Sequence, residues 1–194
     1  GTSKGKFNAG FTVPENIDTI VSFQLLKKYI QEFGLKKMVD IGCFSGWVGK
    51  ELSTIGVAVH GIDVHPVVIQ LAAFYASGSL ATFEYLPVQK LGAMYPKQFD
   101  GAIAWDIIEH VFDPSLALKN IKMAVKDGGY VFVNLPHPQG ENESQDNCSF
   151  GEHEHLYSFS EAEIKRLMGK EKNFSLEKIV NEANQVNWFI MWQV

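Results

Sequence analysis

Apolar residues recur at helical spacing over Ile17–Phe33: Ile17, Ile20, Val21, Leu25, Leu26, Tyr29 and Ile30 share one side. Gly34 stops that helix. Beyond it the pattern switches to short continuous apolar runs, each followed by a turn and a helical stretch. Lys37–Gly42 reads as a buried strand, Trp47–Thr54 as a helix, Val57–Asp63 as a second strand, and Pro66–Ser77 as a helix with proline in its first turn. Ala81–Leu86 and Phe99–Trp105 are the third and fourth strands. Pro114–Val125 is a helix ending in the turn Asp127-Gly128-Gly129, and Tyr130–Leu135 is the fifth strand. Ser160–Gly169 is a helix with Ser160 at its N-cap and Glu163 three residues on. Ser175–Val180 and Asn187–Gln193 complete the strands, with no helix between them.

Strands alternating with helices imply a Rossmann-like, doubly wound α/β fold. The sheet is expected to have seven strands, mostly parallel, with an antiparallel last pair. Two segments lack a period: the Gly/Lys/Asn-rich residues 1–16, expected to be loose, and the polar stretch Pro136–Tyr157, expected to be a lid-like loop.

At 194 residues the chain is the size of one domain able to bury a substantial core. It begins with Gly rather than Met, as a processed chain or a domain of a longer protein would. The net charge of −5, with Arg166 as the only arginine, argues against a nucleic-acid or anionic-membrane partner. No apolar run is long enough for a membrane span. Two cysteines, Cys43 and Cys148, make no disulfide or zinc framework, so a reducing, cytoplasmic setting is expected. Composition leaves the oligomeric state open.

The chemistry gathers at two places. In Val39–Gly46, VDIGCFSG, an apolar strand runs through Asp40 into a turn where Gly42 and Gly46 allow a ligand to approach the backbone. The spacing is not the G-x-G-x-x-G of dinucleotide sites, which excludes a dinucleotide oxidoreductase. An acid before the first glycine repels a diphosphate but suits the ammonium of a methionine moiety. Asp63, ending the next strand, is placed to accept from two ribose hydroxyls. Together these point to S-adenosyl-L-methionine and to methyl transfer. The second place follows the fourth strand. Asp106, Glu109 and His110 stand at i, i+3 and i+4, one face of a helical turn, and His137, His153 and His155 lie downstream.

VDIGCFSG, FDGAIAWDIIEHV (Phe99–Val111) and VKDGGYVFVNLP (Val125–Pro136) resemble the first, fourth-strand and fifth-strand motifs of class I S-adenosylmethionine-dependent methyltransferases. The resemblance implies a cofactor site built from Asp40, Gly42, Cys43 and Gly46 at the methionine end and Asp63 at the ribose. Val64, Val88 and Gln89 would stand at the adenine, with Trp105 also lining the cofactor. Two departures stand out: Phe44 replaces a small residue, and Val88–Gln89 replaces a common Asp.

DIIEH with the later EHEHLYSF resembles, more narrowly, the ubiquinone-pathway O-methyltransferases and the small-RNA 2′-O-methyltransferases. That likeness implies a divalent cation (Mg, Mn, Fe or Zn) on Asp106, Glu109, His110 and His155, with His153 competing for the last position. Without a cation, His110 or His155, with Glu109 orienting, would serve as the general base. The acceptor is expected to be a small polar, sugar-like or nucleoside-like molecule methylated at a hydroxyl oxygen. A nucleic-acid 2′-O-methyltransferase and a catalytically silent interaction module are the rival readings. His60 is read as a sheet-face residue and His65 as the start of a helix, neither functional.

Overall fold

A computed structural model describes residues 20–138, 155–180 and 186–194. Seven strands form one sheet, β1 (Lys37–Ile41), β2 (Ala58–Asp63), β3 (Thr82–Tyr85), β4 (Phe99–Trp105), β5 (Val125–Pro136), β6 (Lys172–Val180) and β7 (Val186–Gln193). Their order is β3-β2-β1-β4-β5-β7-β6. Only β7 runs against its neighbours, pairing antiparallel with both β5 and β6. The winding leaves β1 toward β2 and β3, then crosses back to β4. The strand order therefore reverses between β1 and β4, where such sheets open a ligand crevice at their carboxyl ends.

Among the described residues, six helices accompany the strands: α1 (Val21–Glu32), α2 (Trp47–Ser53), α3 (Pro66–Tyr75), α4 (Val88–Met94), α5 (Pro114–Ala124) and α6 (Glu161–Met168). Period-two alternation splits the buried strand residues into two cores. Met38, Ile103, Phe132 and Phe189 pack on Phe23, Leu26 and Ile30 of α1 and on Val48 and Leu52 of α2. Val39, Ile41, Ala102, Ala104, Val131 and Val133 form the opposite core with Leu91, Leu118, Ile121 and Ile164 from α4, α5 and α6. Asp40 shares a strand face with Met38, so a carboxylate stands at the top of the α1–α2 core.

Several boundaries differ from the sequence reading. The first helix begins at Val21, since Ile20 is extended, and Gly34 at φ +65° ends the turn after it. The Asp127–Gly129 turn is drawn into β5: Gly128 N–H donates to Val194 O (2.7 Å) and Val194 N–H to Gly129 O (2.8 Å). Val125 pairs with Phe99 instead of ending α5. Helix α4, which the sequence pattern does not predict, occupies the connection between β3 and β4. The cap of α6 is as expected, a reciprocal box between Ser160 and Glu163. Residues 1–16 and most of the 136–157 stretch, His153 included, fall outside the described residues.

Candidate active site

The turn after β1 is built by backbone. Gly42 and Cys43 N–H both donate to Ile62 O of β2, at 2.8 and 3.0 Å, and Gly46 N–H donates to Cys43 O at 2.8 Å. Gly42 and Gly46 sit at φ +69° and +75°. A Cβ on Gly42 would lie 2.7 Å from Ile107 Cδ1, and one on Gly46 2.7 Å from Phe83 Cζ. Both the conformation and the space therefore require glycine. Asp63 braces the same turn, its carboxylate accepting from Phe44 N–H (3.3 Å) and His65 N–H (3.0 Å).

Two acids thus flank one loop. Asp40 is 2% exposed. Burial, and secondly the negative charge of Asp63, push its carboxyl up to about 8. Burial and the same two acids also raise the Cys43 thiol, so it stays protonated and unreactive. A cationic ligand seated here would relieve both carboxylates. Val64 follows at the end of β2, half exposed. Trp105, half-buried, meets Phe23 (6.3 Å between ring centroids) and Trp47 (6.2 Å) edge-to-face at the top of the α1–α2 core.

After β4 the chain does not continue as an α-helix. Asp106 takes a left-handed conformation, φ +49°, and a single 3-10 turn spans Ile108–His110. The expected common face of Asp106, Glu109 and His110 is therefore broken. Asp106 turns back to β5, its N–H donating to Asn134 O (3.1 Å) and its Oδ1 accepting from Asn134 Nδ2 (2.8 Å). Asp106 is exposed at the surface. Desolvation by the protein around it raises its carboxyl to about 6, against the Asn134 hydrogen bond and the charge of His155.

Glu109 and His110 instead meet the downstream segment. The carbonyl of Glu109 accepts from Leu156 N–H (3.0 Å) and Tyr157 N–H (3.2 Å), and Tyr157 hydroxyl donates to Phe112 O (2.9 Å). Those bonds dock residues 155–157 on the turn. The His155 ring then stands 4.8 Å from that of His110, edge-to-face. Ligand atoms of Glu109, His110 and His155 all lie within 4.8 Å of one another. His137, by contrast, is buried against Trp188 with 4.5 Å between ring centroids and does not join them. Burial and Lys178 hold its pKa below the usual value, so it stays neutral.

The glycine turn and the acid–histidine turn touch, through Ile107 against Gly42, at the point where the strand order reverses. A methyltransferase domain model matches residues 15–179 of this chain. The chain belongs to the class I S-adenosylmethionine-dependent methyltransferase family.

Among curated methyltransferases, it is similar to the ubiquinone biosynthesis O-methyltransferase of Paraburkholderia phymatum, with 35% identity over 101 residues, 51% of this chain and 44% of that protein. The Proteus mirabilis protein of the same name is 32% identical over 113 residues, 55% of this chain and 46% of that one. The chain thus spans less than half the length of these relatives. Its fold is shared with an S-adenosylmethionine-dependent methyltransferase from Methanosarcina mazei (TM-score 0.70, 23% identity, 87% of this chain and 96% of that one). It is also shared with magnesium protoporphyrin IX methyltransferase from Synechocystis, solved with bound S-adenosylhomocysteine (TM-score 0.67, 17% identity, 88% and 80%).

Within this family member, the remaining expected positions fall as follows. Val88 is buried as the first residue of α4, while Gln89 beside it is exposed. Phe44 keeps the left-handed backbone, φ +45°, that a glycine would hold without strain, and its ring is 40% exposed. Asp106 is not part of the Glu109–His110–His155 group. His60 bridges β2 to β3 through Thr82 and Glu84, a sheet-face role as expected. Asn134 was overlooked; its signal was a lone amide inside the apolar run of Tyr130–Leu135.

Proposed function

We propose that this chain binds S-adenosyl-L-methionine with Asp40 and Asp63 and transfers its methyl group to a hydroxyl oxygen of a small polar acceptor. Asp40 would neutralise the methionine ammonium, and Asp63 would accept from the ribose hydroxyls, with Gly42, Cys43 and Gly46 offering close backbone between them. Val64 would pack on the adenine, Gln89 would reach its edge, and Trp105 would close the methionine end. The observation that carries the oxygen assignment is the meeting of Glu109, His110 and His155 beside the glycine turn. Methylating a hydroxyl requires a proton to leave, and imidazole is suited to take it near neutral pH. The O-methyltransferase names of the curated relatives support the same choice.

Bound here, S-adenosyl-L-methionine would supply the methyl carbon and, as a neutral thioether, its own leaving group. His110 or His155 would take the proton that the acceptor hydroxyl loses as its oxygen gains the methyl carbon. The residues' task is alignment and exclusion of water, since the sulfonium already carries the leaving group. One carboxylate and two imidazoles are also a fitting donor set for a divalent cation (Mg, Mn, Fe or Zn). Held there, the cation would lower the pKa of the acceptor hydroxyl.

Two measurements test this function. Calorimetric titration with S-adenosylhomocysteine should show one site; absence of binding favours the silent module. Radiolabelled methyl transfer is then followed to catechol, a ribonucleoside and a simple sugar, with Mg²⁺ or with EDTA. Label recovered in an alkali-stable ether supports the reading. Label found only on added RNA supports the 2′-O-methyltransferase instead.

A further inference from the structure

The family resemblance implies four side chains around a cation, Asp106 among them. The geometry points to three. We propose that Asn134 is a positioning residue that ties Asp106 to β5, so that a divalent cation is held by Glu109, His110 and His155 while Asp106 stays outside its coordination sphere. This rests on the cation reading given above.

The tie is double. Asp106 N–H donates to Asn134 O at 3.1 Å, and Asn134 Nδ2 donates to Asp106 Oδ1 at 2.8 Å. Asn134 is 1% exposed, so bulk water does not replace a lost partner. Its Oδ1 accepts no hydrogen bond among the described residues, leaving Asp106 as the contact that orients the amide. A flipped amide would set oxygen against carboxylate. Swinging Asp106 onto a metal so that Oδ1 leaves Asn134 would strip a buried donor of its acceptor, a costly change.

The backbone agrees. At φ +49° the chain bends left-handed at Asp106, and Asp and Asn are among the few residues besides glycine that tolerate this. The bend separates Asp106 from the face carrying Glu109 and His110, whose ligand atoms lie within 4.8 Å of one another and of His155 without it. Three protein ligands leave coordination positions open for acceptor oxygens.

The test uses the whole chain, stripped with EDTA and titrated with Mn²⁺, by calorimetry and by the electron paramagnetic resonance of free Mn²⁺. The wild type should bind one Mn²⁺. Asp106→Asn keeps the left-handed turn and should bind within about threefold of wild type. Glu109→Gln and His155→Ala should each weaken binding at least about tenfold, by loss of a ligand. Asn134→Ala frees the carboxylate and should tighten Mn²⁺ several-fold with unchanged S-adenosylhomocysteine affinity, which a merely structural loss would not do.

Loss in Asp106→Asn as large as in Glu109→Gln overturns the proposal. If Asn134→Ala fails to fold, the Asp106→Asn comparison decides alone. A wild type that binds S-adenosylhomocysteine but no Mn²⁺ overturns this inference together with the cation reading, and leaves the methyltransferase reading standing. A wild type that binds neither removes that reading as well.

Discussion

Asp40→Asn isolates the electrostatic cost built into the cofactor turn. Folding raises the Asp40 carboxyl from its ordinary 3.8 to about 8, by burial first and by the charge of Asp63 second. Below about pH 4 both folded and unfolded chains carry the proton, and the group makes no difference. Between about pH 4 and 8 the folded chain holds one proton that the unfolded chain has lost, so stability falls as pH rises. The slope is about 1.4 kcal/mol per pH unit, or on the order of 4 kcal/mol from pH 5 to 8. Asparagine is nearly isosteric and does not ionise. Urea unfolding of both proteins at pH 5, 6, 7 and 8 should therefore show the variant gaining on the wild type by that slope. On the proposed reading, a bound sulfonium nucleoside would set its ammonium beside Asp40 and pull the same pKa down. At pH 7 its binding should release close to one proton from the wild type and none from the variant, read from calorimetry in phosphate and in Tris. Parallel stability curves over this pH range would refute the reasoning, because they would mean that Asp40 is not desolvated in the folded chain.

Three further outcomes follow from the same contacts. Asp63→Ala should weaken S-adenosylhomocysteine binding at least about tenfold (roughly 1.4 kcal/mol) in calorimetry, since it removes the proposed ribose acceptor and the brace for Phe44 and His65 N–H. Unchanged affinity would take Asp63 out of the ribose site. His110→Ala, stripped with EDTA and re-supplied with metal, should carry one equivalent less by elemental analysis than the wild type, and equal content counts against the cluster. Ser160→Ala breaks the capping box of α6 and should cost about 1 kcal/mol in thermal unfolding while leaving S-adenosylhomocysteine affinity as it was.

The architecture was legible wherever one local pattern decided it. A parallel strand buried on both faces reads as a continuous apolar run, and the acid in Lys37–Ile41 marks where the run meets the candidate site. What was not legible depended on distant partners. Helix α4 has seven residues with Gly92 as its fifth, a weak helical signal. Its glycine is explained only by α5, because a Cβ there would lie 2.6 Å from Met123 Cβ.

The acid–histidine site divides along the same line. The i, i+3, i+4 spacing of Asp106, Glu109 and His110 suggested one face, but spacing implies a face only if the backbone is helical. Asn134, 28 residues away in sequence, selects a left-handed residue at Asp106 instead, and the face loses its first member. His155 arrives for the converse reason. Nothing periodic leads to it; two N–H groups beyond it find the carbonyl of Glu109. A polar residue inside an otherwise apolar strand, Asp40 in β1 and Asn134 in β5, was therefore a better guide to this site than the spacing of acids and histidines outside the sheet. Desolvating such a group is unfavourable unless a partner or ligand meets it, so its presence in the core implies that something does.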